Sequence, residues 1–200
     1  MGAGAFLGTT GKEIYSIDVA TGKATLLTTV PATVGGVSTG TLQNSLAVNQ
    51  AAGLIYYTSN DTVNTNRALF AYDFINNVHI LVDADLAANG AGVGNVTVGT
   101  RGVGSGAATF ANGFLYLGIE NNFGGDGAGT EADDTIYRIQ LSADGRSLST
   151  AAGSVSTLVL NITNNDWGDL GYNAANNSLQ SSSLNGTSVN LTRYSLNAGG

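Results

Sequence analysis

Apolar and polar positions alternate in short runs along most of this chain. Leu46-Ala47-Val48 leads through the turn Asn49 to Gly53 into Leu54-Ile55-Tyr56-Tyr57. A polar stretch follows, then Leu69-Phe70-Ala71-Tyr72, the turn Asn76-Asn77 and the run Val78 to Val82. The same order returns downstream: Ala107 to Phe110, the turn Ala111-Asn112-Gly113, Phe114 to Ile119, Ile136 to Leu141, the turn Ser142 to Gly145, and a weaker run around Leu148. β-Branched and aromatic residues bounded by Gly, Asn and Asp are the signature of strands joined by tight turns. No window longer than about a dozen residues carries a helical period, so the pattern predicts an all-β chain.

The runs repeat. Ile14 (IYSIDVATGK), Leu69 (LFAYDFINNV), Ile136 (IYRIQLSADG) and Leu191 (LTRYSLNAGG) begin corresponding segments. They lie roughly 55 to 67 residues apart, and a period of this size marks stacked supersecondary units. Each complete unit reads as four antiparallel strands, A to D, and the approximate units are residues 1–40, 41–105, 106–165 and 166–200. Meanders repeated at this interval are how β-propeller blades are built, so the expectation is about four blade-type units. The Asp-x-x-Thr-Gly-Lys turn at Asp18 to Lys23 resembles the C–D hairpin of many propeller blades. The chain as a whole resembles irregular propeller repeats of secreted bacterial proteins, in the style of NHL or YVTN-type blades. No WD signature or kelch double glycine recurs in each unit.

The terminal units are incomplete. The chain starts at a B strand, Ala5 to Thr9, and stops after a C strand, Leu191 to Leu196. Four arrangements fit: a fragment of a larger propeller, a compact ring of about four blades, a half-ring completed by a second copy, or an open sandwich. Unpaired strand edges recruit other strands, so self-association through the terminal strands is expected. In every unit the A–B and C–D turns share one face of the meander. The B–C and D–A loops share the other, and there the long segments collect: Val30 to Asn44, Ser59 to Ala68, Asp83 to Ser105, Glu120 to Thr135 and Ser156 to Gly168. Long loops on a rigid scaffold are where binding residues sit.

Composition narrows the classes of function. Only 10% of the 200 residues are charged and the net charge is −7, which argues against nucleic acid, since a phosphate backbone needs clustered Lys and Arg. Absence of cysteine excludes disulfides, thiol nucleophiles and zinc ribbons. No apolar stretch reaches the 18 or so residues of a membrane helix. The opening Met1-Gly2-Ala3-Gly4-Ala5-Phe6 lacks the basic region and apolar length of a signal peptide. Low charge with abundant Asn, Thr and Gly suggests an extracellular or cell-surface protein.

Candidate chemistry is sparse. Asp126, Glu131, Asp133 and Asp134 lie in or beside the glycine-rich Gly124-Gly125-Asp126-Gly127. Carboxylates with inward-turned carbonyls suit Ca2+, and a solvated loop is the plainer alternative. Asp83 and Asp85 make a weaker version of the same pattern. Trp167, flanked by Asp166 and Asp169, suits stacking on a sugar with hydrogen bonds to its hydroxyls; a structural anchor is the alternative. Arg101 and Arg67 sit in long loops within reach of an anion. His79 lies in a strand and reads as a plain strand residue. Gly36-Val37-Ser38-Thr39-Gly40 matches G-x-S-x-G, but a β-chain lacks the helix that a nucleophile elbow requires. Gly90-Ala91-Gly92-Val93-Gly94 does not complete a phosphate-binding motif.

The reading is therefore a non-catalytic extracellular binding or structural module that presents loops to a protein, a glycan or a calcium ion. Two alternatives stand beside it. One is a self-assembling structural subunit. The other is a propeller hydrolase or lyase using Asp126, Asp133, Asp166 and Asp169.

Overall fold

The structure is a computed structural model; it describes residues 5–41, 43–59, 68–86, 107–119, 134–151, 155–162, 166–185 and 188–196. The protein is all-β and consists of several small antiparallel sheets. The first sheet holds β1 (Ala5–Thr10), β2 (Glu13–Asp18) and β3 (Ala24–Thr29). A two-residue-per-strand hairpin, β4 (Thr33–Val34) with β5 (Val37–Ser38), interrupts the following loop. The second sheet is β6 (Gln43–Asn49), β7 (Leu54–Ser59), β8 (Leu69–Asp73) and β9 (Val78–Asp83). The third is β10 (Ala107–Ala111), β11 (Phe114–Ile119), β12 (Asp134–Gln140) and β13 (Val155–Ile162). The fourth is β14 (Asp166–Asn173), β15 (Ser178–Asn185) and β16 (Ser188–Ser195). Every sheet is a meander in chain order.

Alternation along each strand decides how the sheets stack. Successive side chains point to opposite faces, and in the two middle sheets both faces are apolar. Leu54, Tyr56, Leu69 and Ala71 face the third sheet and pack with Leu115, Leu117, Tyr137 and Ile139. Their neighbours Ile55, Tyr57, Phe70 and Tyr72 face the first sheet and pack with Ile14, Val30 and Val34. The other face of the third sheet, with Tyr116 and Ile136, packs on Leu170, Leu179 and Leu196 of the fourth. Three apolar layers thus lie between four sheets. β10 runs beside both β6 and β14, and β1 lies beside β6. No contact of comparable extent joins β14 back to β1 among the described residues, so the stack is open there.

The short turns are built from Asx chemistry. Tyr72 and Tyr172 each donate a hydroxyl hydrogen bond to the Asn five residues on, Asn77 Oδ1 at 2.8 Å and Asn177 Oδ1 at 2.9 Å. Both asparagines have positive φ, 56° and 47°, a conformation that Asn tolerates better than other non-glycine residues. In the turn of the first sheet, Asp18 Oδ1 accepts from the Thr21 amide at 2.8 Å and the Thr21 hydroxyl at 2.7 Å. Those contacts, the hydroxyl first, hold the Asp18 carboxyl below its ordinary pKa.

One sequence expectation is corrected. The fourth strand of the third sheet is not the run around Leu148. Leu148 makes only an isolated bridge to Leu141, and the strand is β13, within a segment expected to be loop from Ser156 to Gly168. The reason is an excursion, Leu141 to Ala151, that closes on itself: Ser142 N–H donates to Ser147 O and Ser149 N–H to Gln140 O.

Candidate functional site

Of the residues singled out in the sequence, Arg67, Arg101, Asp126, Glu131, Asp133 and the stretch Gly90 to Gly94 lie outside the described residues. Asp134 opens β12 opposite Ile162. Asp166 and Trp167 open β14, paired with Leu184 and Ser183, and a register shift falls between Trp167 and Asp169. That bulge re-aims the strand and sets the parity of its remaining residues. Beyond it, Leu170 and Tyr172 face the core, while Asp169 and Gly171 face away.

The outward face of the fourth sheet is read directly from its register. One row across it is Asp169, Ser182 and Leu191; a second is Gly171, Gln180 and Arg193. These six residues line a hollow of ≈ 390 Å³. Gly171 forms its floor: a Cβ there would meet nothing closer than Gln180 O at 3.9 Å, so the missing side chain is what opens the space. Leu191 stands 84% exposed at the wall. The desolvating walls push the Asp169 carboxyl above its ordinary pKa, against an opposing hydrogen bond from the Leu170 amide. An aspartate, a guanidinium, an amide and a hydroxyl around an apolar wall can hold a polar ligand or a protein side chain. Sequence reasoning found Asp169 and missed Gln180, Ser182, Leu191 and Arg193. They come together only across strands, and the alternation Leu191-Thr192-Arg193-Tyr194 was the one signal of a two-faced strand.

A second exposed surface is the outward face of the first sheet. Its rows are Phe6, Ile17 and Ala24; Gly8, Tyr15 and Leu26; and Thr10, Glu13 and Thr29. Phe6 is 66% exposed and Leu26 is also exposed. Ile17 covers Gly8, whose added Cβ would lie 3.0 Å from Ile17 Cδ1. Tyr15 donates to Glu13 Oε2 at 2.5 Å, and that bond to a carboxylate raises the phenol pKa.

Two further titratable groups, His79 and Asp73, join neighbouring sheets. His79 bridges sheets: Nε2 is 2.9 Å from Thr28 Oγ1 and Nδ1 is 2.9 Å from Tyr57 Oη. It lies in a strand as expected, yet both ring nitrogens are engaged and burial lowers its pKa. Asp73, with no accessible side-chain surface, pairs with Arg146 of the third sheet. No group of three or more His, Cys, Asp or Glu able to hold a metal occurs among the described residues. No described helix is long and apolar enough to cross a membrane.

The chain matches no protein-family model, and no curated protein sequence matches it either.

Proposed function

We propose that the chain is a non-catalytic, extracellular binding and structural module of propeller-type blades, acting through the outward faces of its two terminal sheets. One observation carries this reading. Among the described residues, both faces of β7, β8 and β11 in the middle sheets are buried, whereas the first and fourth sheets each leave a face with exposed apolar side chains, Phe6 and Leu26 on one and Val189 and Leu191 on the other. In stacked-unit proteins the terminal units need a polar outer face to stay soluble alone. A sheet face without such a cap offers its exposed apolar side chains to a packing partner. The blade reading is supported by the meander in each sheet and by the side-by-side packing of β1, β6, β10 and β14. The extracellular setting is supported by composition alone.

The test is the mass of the purified chain by light scattering and sedimentation across a wide concentration range. Association that Leu191→Glu weakens supports the reading. A chain that stays monomeric and binds no protein through either face refutes it. A second reading is favoured by the mix of Asp169, Gln180 and Arg193: the hollow takes a sugar, and titration with oligosaccharides monitored by chemical shifts of the Gly171 amide tests it.

A further inference from the structure

We propose that Asn112 is a modification site and a latch: its side chain fastens the turn of the third sheet to the turn of the fourth, and its spontaneous deamidation at the Asn112-Gly113 step releases that fastening. The latch lies between two sheets packed on each other, so it does not depend on what the outward faces bind.

Hydrogen bonds fix which way each amide points. Leu196 O can only accept, and it takes Asn177 Nδ2 at 3.1 Å, so Asn177 Oδ1 faces the other way. There it accepts from Tyr172 Oη at 2.9 Å and from Asn112 Nδ2 at 3.3 Å. Asn112 Nδ2 also donates to Tyr172 Oη at 3.2 Å. Position 112 therefore has to present a donor to Asn177. An amide supplies one and an ionised carboxylate does not. The Tyr172 hydroxyl has a single proton. If it turns to a carboxylate at position 112, Asn177 Oδ1 loses both of its donors.

The local chemistry makes this amide labile. Asparagine is chemically thermolabile, and a following glycine leaves the attacking nitrogen unshielded. Asn112 and Gly113 form a two-residue turn between the paired Ala111 and Phe114. Both have positive φ, 54° and 84°, as an Asn-Gly hairpin turn requires. Both are exposed, and a Cβ on Gly113 would meet nothing within 4 Å. In deamidation the Gly113 nitrogen attacks Asn112 Cγ. The N–Cγ bond forms, the Cγ–Nδ2 bond breaks, and ammonia leaves with the Gly113 proton. Water then opens the cyclic imide at either carbonyl to give aspartate or isoaspartate, and the sequence needs no oxidant. Either product adds a negative charge to a chain of net charge −7. Isoaspartate also inserts a methylene into the main chain of the turn. Asn77 and Asn177 share the positive φ, 56° and 47°, but Val78 and Ser178 follow them, and those side chains crowd the attack. The latch also slows its own loss. Asn112 Nδ2 must leave Tyr172 and Asn177 before Cγ can reach the Gly113 nitrogen.

Peptide mapping by mass spectrometry follows the full chain through incubation in mildly alkaline buffer. Asn112 is expected to convert to aspartate and isoaspartate while Asn77 and Asn177 stay intact. Tyr172→Phe removes one of the two Nδ2 partners and is expected to speed the conversion severalfold. Cooperative thermal melts establish that each variant is folded. The aged chain and Asn112→Asp are both expected to melt below the wild type. Asn112→Asp is expected to melt below Asn112→Gly as well, since the glycine lacks the donor but brings no second acceptor toward Asn177. If Asn112 stays intact after a free peptide of residues 107–119 has converted, the modification site is overturned. Conversion without a fall in melting temperature, an Asn112→Asp chain as stable as the wild type, or an unchanged rate in Tyr172→Phe overturns the latch.

Discussion

The contact between Asp73 and Arg146 fastens the turn of the second sheet to the turn of the third, and removing it is a sharp test of how the stack holds together. Asp73 Oδ1 accepts from the amides of Ile75 and Asn76, both at 2.9 Å, and Oδ2 accepts from Asn76 Nδ2 at 2.7 Å and from Arg146 Nη2. Asp73 has no exposed side-chain surface, whereas the Arg146 side chain is 38% exposed. A hydrogen bond to a charged group contributes roughly 1.5–3 kcal/mol, and orphaning a buried partner costs roughly 1–3 kcal/mol. Asp73→Asn keeps the shape but sets its new amide against two donors, so it should destabilise by about 2–4 kcal/mol. Arg146→Ala removes one partner that is more than a third exposed. Solvent screening lowers its share to about 1 kcal/mol. Urea unfolding of both single variants and the double variant closes a cycle whose coupling should be about 1 kcal/mol, above the roughly 0.3–0.5 kcal/mol of unlinked sites. Burial opposes ionisation of Asp73, but the bonds from Asn76, Arg146 and Ile75 outweigh it and hold the carboxyl well below the carboxylate range. Its contribution is therefore complete above the unfolded value of about 3.9 and disappears as pH falls through the lower folded value. The Asp73→Asn variant should lack that acid-limb loss. A cycle with no coupling, or an acid limb unchanged by Asp73→Asn, would refute the reasoning.

Further outcomes are open to measurement. Because burial lowers the His79 pKa, the stability it lends is present above the unfolded value near 6.5 and declines as pH falls toward the folded value; His79→Gln should flatten that window in melts between pH 7 and 5. Gly145 has φ +73°, and an added Cβ would lie 2.4 Å from Tyr56 Oη, so Gly145→Ala should cost about 1–3 kcal/mol by chemical denaturation. Tyr56→Phe deletes the 3.0 Å bond to Gly145 O and should cost about 1 kcal/mol in the same assay. With a net charge of −7 on each copy, association should tighten as salt screens the mutual repulsion, and sedimentation at rising ionic strength measures it.

Strand positions were the most legible part of the fold. Phe114 to Ile119 is β11 residue for residue, and Leu54, Leu69 and Val78 each open a strand where the alternation starts. The error at Leu148 has a local cause. A turn signal at Ser142 to Gly145 resembled the tight hairpins of the other units, so a strand was expected directly after it. Backbone bonds between the two arms of the excursion instead hold Leu148 in a bridge and delay the strand to Val155. Of the candidate site, Asp169 was legible because an acid beside a lone tryptophan stands out in a chain this poor in charge. Arg193 was not, because nothing local distinguishes a cation in a strand that faces a hollow from one that faces water.

The sequence by itself determined the class of the protein. The period of two in its apolar residues, and the Gly, Asn and Asp that punctuate it, require short antiparallel strands because each signal acts within a few residues. Which faces are buried was decided only in three dimensions. The first and fourth sheets show much the same alternation as the middle pair, yet each has one neighbour instead of two, so Phe6 and Leu191 stand in water where Tyr57 and Leu117 lie buried. Burial is a property of what packs against a strand. The hollow over Gly171 likewise depends on a register that aligns residues from three strands, and registers are set by the stacked core.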